Sequence, residues 1–179
     1  MEIKLCGVGG QGMGFAGRLL GEAAILAGLH AAQTTAYGVE SRGGLSTSDL
    51  VIRSEPILFP EVRRPDVLLL MAEKGLKSNL RGAHAETVIL YDPGTVNESW
   101  DTPGRKMPYP FLEISLREFG NREAATIIAL GALVQITGVV SLGHMEEAIK
   151  KSLSPKVHSQ NVKALRLGRN LVKEEAQAG

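Results

Sequence analysis

Apolar residues along this chain come in short runs that switch between a period near two and a period near 3.6, the signals of strands and helices. Residues 2–7 form a short apolar strand. A helical pattern follows from about 12 to 27, with Phe15, Leu19, Leu20, Ala23 and Leu26 on one side and Gly28 closing it. Residues 29–35 read as a second strand, 37–47 as a loop, and 48–53 as a third strand in which Leu50 and Ile52 alternate with Asp49 and Val51. Pro60 and Pro65 bracket a loop or short helical turn. The continuous apolar run 66–71 predicts a central strand covered on both faces. A short helix is predicted over 72–80 and another buried strand over 87–91, with Asp92, Pro93 and Gly94 as a turn. Residues 100–110 are proline-rich and irregular, and 111–115 read as a last strand.

Three helices close the chain. Asn121 has the character of an N-cap for a helix over 122–137, with Glu123 in the first turn and Gly138 ending it. Two more helical stretches, 141–153 and 159–175, are separated by Pro155. The alternation predicts an α/β fold: a single Rossmann-like domain over 1–179 with a mostly parallel sheet flanked by helices. The helix over 122–137 is apolar almost all round, through Ile127, Ile128, Leu130, Leu133, Val134 and Ile136. It is expected either inside the domain's own core or at a partner surface.

Composition changes this picture by exclusion. The 179 residues suffice for one core, and 44% hydrophobic with 22% charged residues is the balance of a globular chain. A net charge of +1 and 4% aromatic residues give no footprint for nucleic acid or a membrane surface. Cys6 is the sole cysteine, so the chain alone can hold neither a disulfide nor a Cys-ligated iron–sulfur cluster. No apolar run approaches the roughly 18 residues of a membrane span, and no leader pattern precedes the first strand, so a cytoplasmic protein is expected. His30, His84, His144 and His158 share no metal-ligand spacing. No catalytic constellation and no metal site emerge.

Two loops stand out. Gly7, Gly9 and Gly12 have the G-x-G-x-x-G spacing of a dinucleotide turn between a strand and a helix. Gly7, Gly9, Gly10, Gln11 and Gly12 are therefore candidates either to hold an anion at a helix N-terminus or to make a structural turn. Gln11 is placed to bond loop backbone or to reach a ligand. A nicotinamide site wants an acid at the end of the second strand, roughly 20 residues on. None is there, which argues against NAD or FAD. A β-branched residue at Gly9 is expected to clash in the turn. The second loop carries Tyr37, Glu40, Arg42, Gly43 and Gly44, with glycines on both sides of the charged pair. In a parallel sheet both loops fall at the carboxyl edge, where α/β sites form. The second loop is read as a partner-contact segment, its charges fixed by partner backbone or by each other. A solvated turn is the bland alternative.

Together the two loops strongly resemble those of the gamma subunit of the 2-oxoacid:ferredoxin oxidoreductases, and within that family the sequence looks closest to the 2-oxoglutarate or general 2-oxoacid type. The resemblance continues through Ser48 to Ile52, Pro65 to Leu69, Asn121 to Leu133, and Asn161, Ala164 and Gly168, so it spans nearly the whole chain. It implies a subunit of a complex that oxidatively decarboxylates a 2-oxoacid, transfers the acyl group to coenzyme A and reduces ferredoxin. It implies alpha and beta partners and a ferredoxin-like delta subunit. Thiamine diphosphate, Mg and iron–sulfur clusters are expected in the complex and none on this chain. The isolated chain is expected to be inactive. The beta subunit of indolepyruvate oxidoreductase and a freestanding Rossmann-like nucleotide-binding protein are the alternatives.

Overall fold

The computed structural model describes residues 1–38, 40 and 43–178. Its strands are β1 (Glu2–Val8), β2 (His30–Tyr37), β3 (Leu45–Arg53), β4 (Val67–Leu70), β5 (Val88–Tyr91) and β6 (Arg105–Pro108). The helices are α1 (Met13–Leu26), α2 (Leu76–Asn79), α3 (Phe111–Phe119), α4 (Ala124–Thr137), α5 (Leu142–Ser152) and α6 (Pro155–Ala178). The strands form one sheet in the order β2-β3-β1-β4-β5-β6. Pairs β1–β4, β4–β5 and β5–β6 are parallel, while β3 runs antiparallel to both β1 and β2. A parallel return needs a crossover of about a dozen residues or more. The connection from Tyr37 to Leu45 is too short for one, so β2 and β3 must form a hairpin. Because β3 is inserted between them, β2 keeps the direction of β1. The turns after β1 and after β2 therefore share one edge, as expected, although the sheet between them is antiparallel.

Four local expectations change. β3 begins at Leu45, three residues before the predicted start. The helix predicted over 72–80 is the single turn α2. Strand β6 lies inside the stretch read as irregular. Residues 111–115 are not a strand but the first half of α3. Phe111, Ile114 and Ser115 are buried at helical spacing, and the carboxylate of Asp92 accepts from the Leu112 N–H at 2.6 Å, satisfying a donor of the first turn. Asn121 Oδ1 accepts from the N–H groups of Glu123 and Ala124 at 3.1 and 3.4 Å, capping the turn that leads into α4.

The sheet carries a core on each face. Ile3, Leu5, Leu50, Ile52, Leu69 and Leu90 point into the larger one with α1, α4, α5 and α6. Cys6, Leu68, Leu70, Ile89 and Tyr91 point into a smaller one with Leu76 and Val96. Every residue of α4 from Ala124 to Val134 is buried. Ile136, partly buried, packs on the same core. The helix thus belongs to the domain's own interior, and a partner surface must lie elsewhere. Its closest neighbour is α6. A Cβ added at Gly131 would stand 2.0 Å from the Leu165 carbonyl oxygen, and one at Gly168 would stand 1.7 Å from that of Ile128. The two backbones touch where both side chains are missing.

Candidate functional site

The turn after β1 is built on Gln11. Gly10 (φ 95°) and Gly12 (φ 75°) take left-handed conformations that favour glycine. They swing the chain so that the Gln11 side chain folds back under it. Gln11 Oε1 accepts from the Val8 N–H at 2.8 Å, and Nε2 donates to the Met71 carbonyl at the end of β4 at 2.9 Å. The Gln11 N–H donates to the Val8 carbonyl at 3.1 Å. Its own carbonyl accepts from Thr126 Oγ1, on α4, at 2.8 Å. One residue thus ties β1, β4 and α4 together. A Cβ at Gly7 would stand 2.5 Å from Gln11 Oε1, so glycine makes room for this strut. The expected clash at Gly9 is absent: a Cβ there meets nothing nearer than the Gly43 nitrogen at 3.7 Å.

The hairpin turn after β2 leans on this frame. The Gly9 N–H donates to the Gly44 carbonyl at 2.8 Å. Lys74, in the loop after β4, donates to the Glu40 carboxylate and, at 3.0 Å, to the Gly43 carbonyl. Among the described residues, the partner of Glu40 is Lys74, 34 residues along the chain. Arg42 lies outside the described residues. Gly9, Gly10, Tyr37, Glu40, Gly43 and Gly44 line one open concavity of about 520 Å³, while Gly7, Gln11 and Gly12 form the strut and turn beside it. The structure thus brings the two predicted loops together. Tyr37 is 68% exposed. Lys74 was invisible in the sequence because nothing local links it to Glu40. The usable signal was its place just past the carboxyl end of a central strand.

Other ionisable groups near this edge are structural. Burial raises the Asp92 carboxyl above the usual carboxylate range, against the lowering effect of the Leu112 and Gly94 N–H groups it accepts from. Burial, and then Glu98, which accepts its proton, push the Tyr91 phenol up to about 12. Burial also pushes the Cys6 thiol upward, away from reactive thiolate chemistry. A larger concavity of about 940 Å³ lies on the smaller-core side between the segments around α2 and Trp100. Its charges are mixed: Lys77 and Arg81 against Glu73 and Asp101. Among the described residues no group of three or more His, Cys, Asp or Glu could hold a metal ion. No helix among them is long and apolar enough to cross a membrane.

A mostly parallel sheet with a glycine turn into α1 and loops gathered at its carboxyl edge defines a Rossmann-like α/β domain. The family model for pyruvate ferredoxin/flavodoxin oxidoreductase matches residues 2–171. The chain is similar to the 2-oxoglutarate synthase subunit KorC of Methanothermobacter marburgensis, at 39% identity over 180 residues and 97% of each chain. It is 33% identical over 181 residues to the ketoisovalerate oxidoreductase subunit VorA of Methanothermobacter thermautotrophicus, covering 99% of this chain but 37% of that one. Among solved structures, the gamma subunit of keto/oxoacid ferredoxin oxidoreductase from Geobacter sulfurreducens superposes with a TM-score of 0.83 at 30% identity, covering 93% of each chain. The chain belongs to the pyruvate ferredoxin/flavodoxin oxidoreductase family, as a gamma subunit of a 2-oxoacid:ferredoxin oxidoreductase.

Proposed function

We propose that this gamma subunit serves an oxidoreductase of the 2-oxoglutarate type, and that its part is to present a braced edge to the catalytic subunits rather than to hold the reacting groups. The observation that carries this reading is the hairpin turn. It is fixed from beneath by Gly9 and Lys74, yet it leaves the Tyr37 ring exposed. A segment tethered at Glu40, Gly43 and Gly44 while Tyr37 stays open suits a docking contact, since part of the ordering entropy is already lost before binding. Tyr37, Glu40, Gly43 and Gly44, with Arg42, form that contact. The Gly7–Gly12 turn is its frame: the Val8, Gly9 and Gln11 N–H groups already have acceptors within the chain, which leaves little of a phosphate cradle.

Thiamine diphosphate, Mg and the iron–sulfur clusters belong on this reading to alpha, beta and ferredoxin-like delta subunits, where coenzyme A and the 2-oxoacid react. A Cys-ligated cluster takes about four thiolates, and this chain has one cysteine, buried. The similarity to part of the longer VorA chain supports a direct contact with a subunit corresponding to its remainder. The test is reconstitution. The purified chain alone should oxidise no 2-oxoacid with a viologen acceptor. Adding it to the alpha and beta subunits should restore coenzyme A-dependent turnover, with 2-oxoglutarate preferred over pyruvate. Turnover by the chain alone, or full activity without it, overturns the proposal.

A further inference from the structure

Strand β2 is one of the two ends of the sheet, and its backbone shows which groups are unspent. The Gly38 N–H donates to the Leu45 carbonyl at 2.7 Å, so that pair is hydrogen-bonded. Antiparallel pairs alternate, which makes Ala36–Thr47, Thr34–Asp49 and Ala32–Val51 bonded as well. The N–H and C=O groups of Ala31, Gln33, Thr35 and Tyr37 therefore point outward, with no strand beyond them among the described residues. Their side chains turn toward α1. Ala31 stands against Gly21, Thr35 and Tyr37 against Gly14, and Gln33 Nε2 donates to the Gly14 carbonyl and Ser48 Oγ. Proteins guard an open edge with lysine, proline, bulges or inward charge. β2, His30 to Tyr37, contains no lysine, arginine, acid or proline.

We propose that β2 pairs antiparallel with the β2 strand of a second copy of this chain, about a two-fold axis at Thr34. Ala31 then bonds with Tyr37 of the copy, and Gln33 with Thr35 of the copy. This register satisfies all four outward residues on each strand, and a slip of two residues leaves some unpaired. It also sets two exposed apolar side chains on the same side of the joined sheet. Tyr37, 68% exposed, lies across from Ala31 of the copy. Ile25, 62% exposed, sits one helical turn beyond Gly21, which packs on Ala31. On the opposite face Thr34 meets Thr34, and Ala32 meets Ala36. The contact engages Tyr37 and leaves Glu40, Gly43 and Gly44 free, so a second copy and the catalytic subunits exclude one another at Tyr37, and the pairing does not depend on what the complex oxidises.

The test uses the full chain. Analytical ultracentrifugation should show a dimer at micromolar concentration. Thr34 meets itself as a non-hydrogen-bonded pair, where Cα atoms lie about 4.5 Å apart, within reach of a disulfide. Thr34→Cys should cross-link most of the chain under mild oxidation. Leu58→Cys, exposed in the loop after β3, should not, and the parent chain with only buried Cys6 should stay uncross-linked. Thr34→Lys sets like charges face to face at an exposed position, and the dimer should be lost while far-UV circular dichroism is unchanged. A chain that is monomeric throughout, a Thr34→Cys that links no faster than Leu58→Cys, or a dimer that survives Thr34→Lys overturns the proposal.

Discussion

The turn after β1 and the turn after β2 are both glycine-rich, both face the same edge and touch each other, yet they are held in different ways. The first is wired into the interior. Gln11 links it to β4 and, through Thr126, to a helix with every residue from Ala124 to Val134 buried. The second is held from outside, by one backbone bond to Gly9 and by Lys74, whose side chain is 41% exposed beside a Glu40 that is 54% exposed. Glycine content therefore does not distinguish a frame from a displayed loop. What distinguishes them is whether the polar groups that fix the turn are shielded from water. Shielded groups make the turn costly to disturb, and exposed ones make it adjustable.

The strongest way to break this contrast is at Gln11. Gln11→Ala leaves the Val8 N–H and the Met71 carbonyl without their partners, and about 2–6 kcal/mol of unfolding free energy should be lost at roughly 1–3 kcal/mol per orphaned group. Denaturant titration of the purified chain reads this, and a loss below about 1 kcal/mol would show that the strut is dispensable. Next come two neighbouring glycines. Gly10→Ala forces a side chain into the left-handed region and should cost about 1–2 kcal/mol, whereas Gly9→Ala has room and should stay within about 0.5 kcal/mol of the parent. Equal losses at both sites would refute the geometry of the turn.

Lys74→Met should move stability less, by about 0–1 kcal/mol, because the ion pair it removes is exposed. Its signature should appear instead in the reconstituted complex, as weaker association or slower turnover. If melting, association and turnover all match the parent, the hairpin is only a solvated turn. The smallest effect is in pH dependence. Folded Asp92 holds its proton more tightly than the unfolded chain does, because burial outweighs its two backbone bonds. Stability should therefore fall as pH rises from the ordinary aspartate range through the raised folded value, and level off above it. Asp92→Asn should flatten that decline in a series of melts, and an unchanged slope would assign it to another group.

The fold was legible wherever burial left a run or a period. β4 and β5 stood out as unbroken apolar segments, and α4 ended at Gly138 as predicted. The misses have physical reasons. β6 is an edge strand with mostly exposed side chains, so no apolar pattern marks it. The five residues 111–115 are too few to separate a period of two from one of 3.6, and the carboxylate that caps the helix there, Asp92, is 20 residues away. The direction of β3 was decided by the length of one loop, which periodicity does not weigh. At the edge itself, the glycine turn and the hairpin were visible as motifs. The pairing of Glu40 with Lys74 was not, because it joins loops that only the sheet brings together.

The close approach of α4 and α6 at Gly131 and Gly168 has a consequence for how the chain comes into being. α4 is apolar on every side, and the surface that closes over much of it belongs to α6, which is made after it. During synthesis the sheet and α1 can assemble early, but α4 has no cover along that side until α6 has left the ribosome. Any product that stops short of α6 carries an open apolar helix, the kind of surface chaperones and proteases recognise. α6 thus acts as a test of folding: only a chain that has docked it can hide α4 and escape that scrutiny.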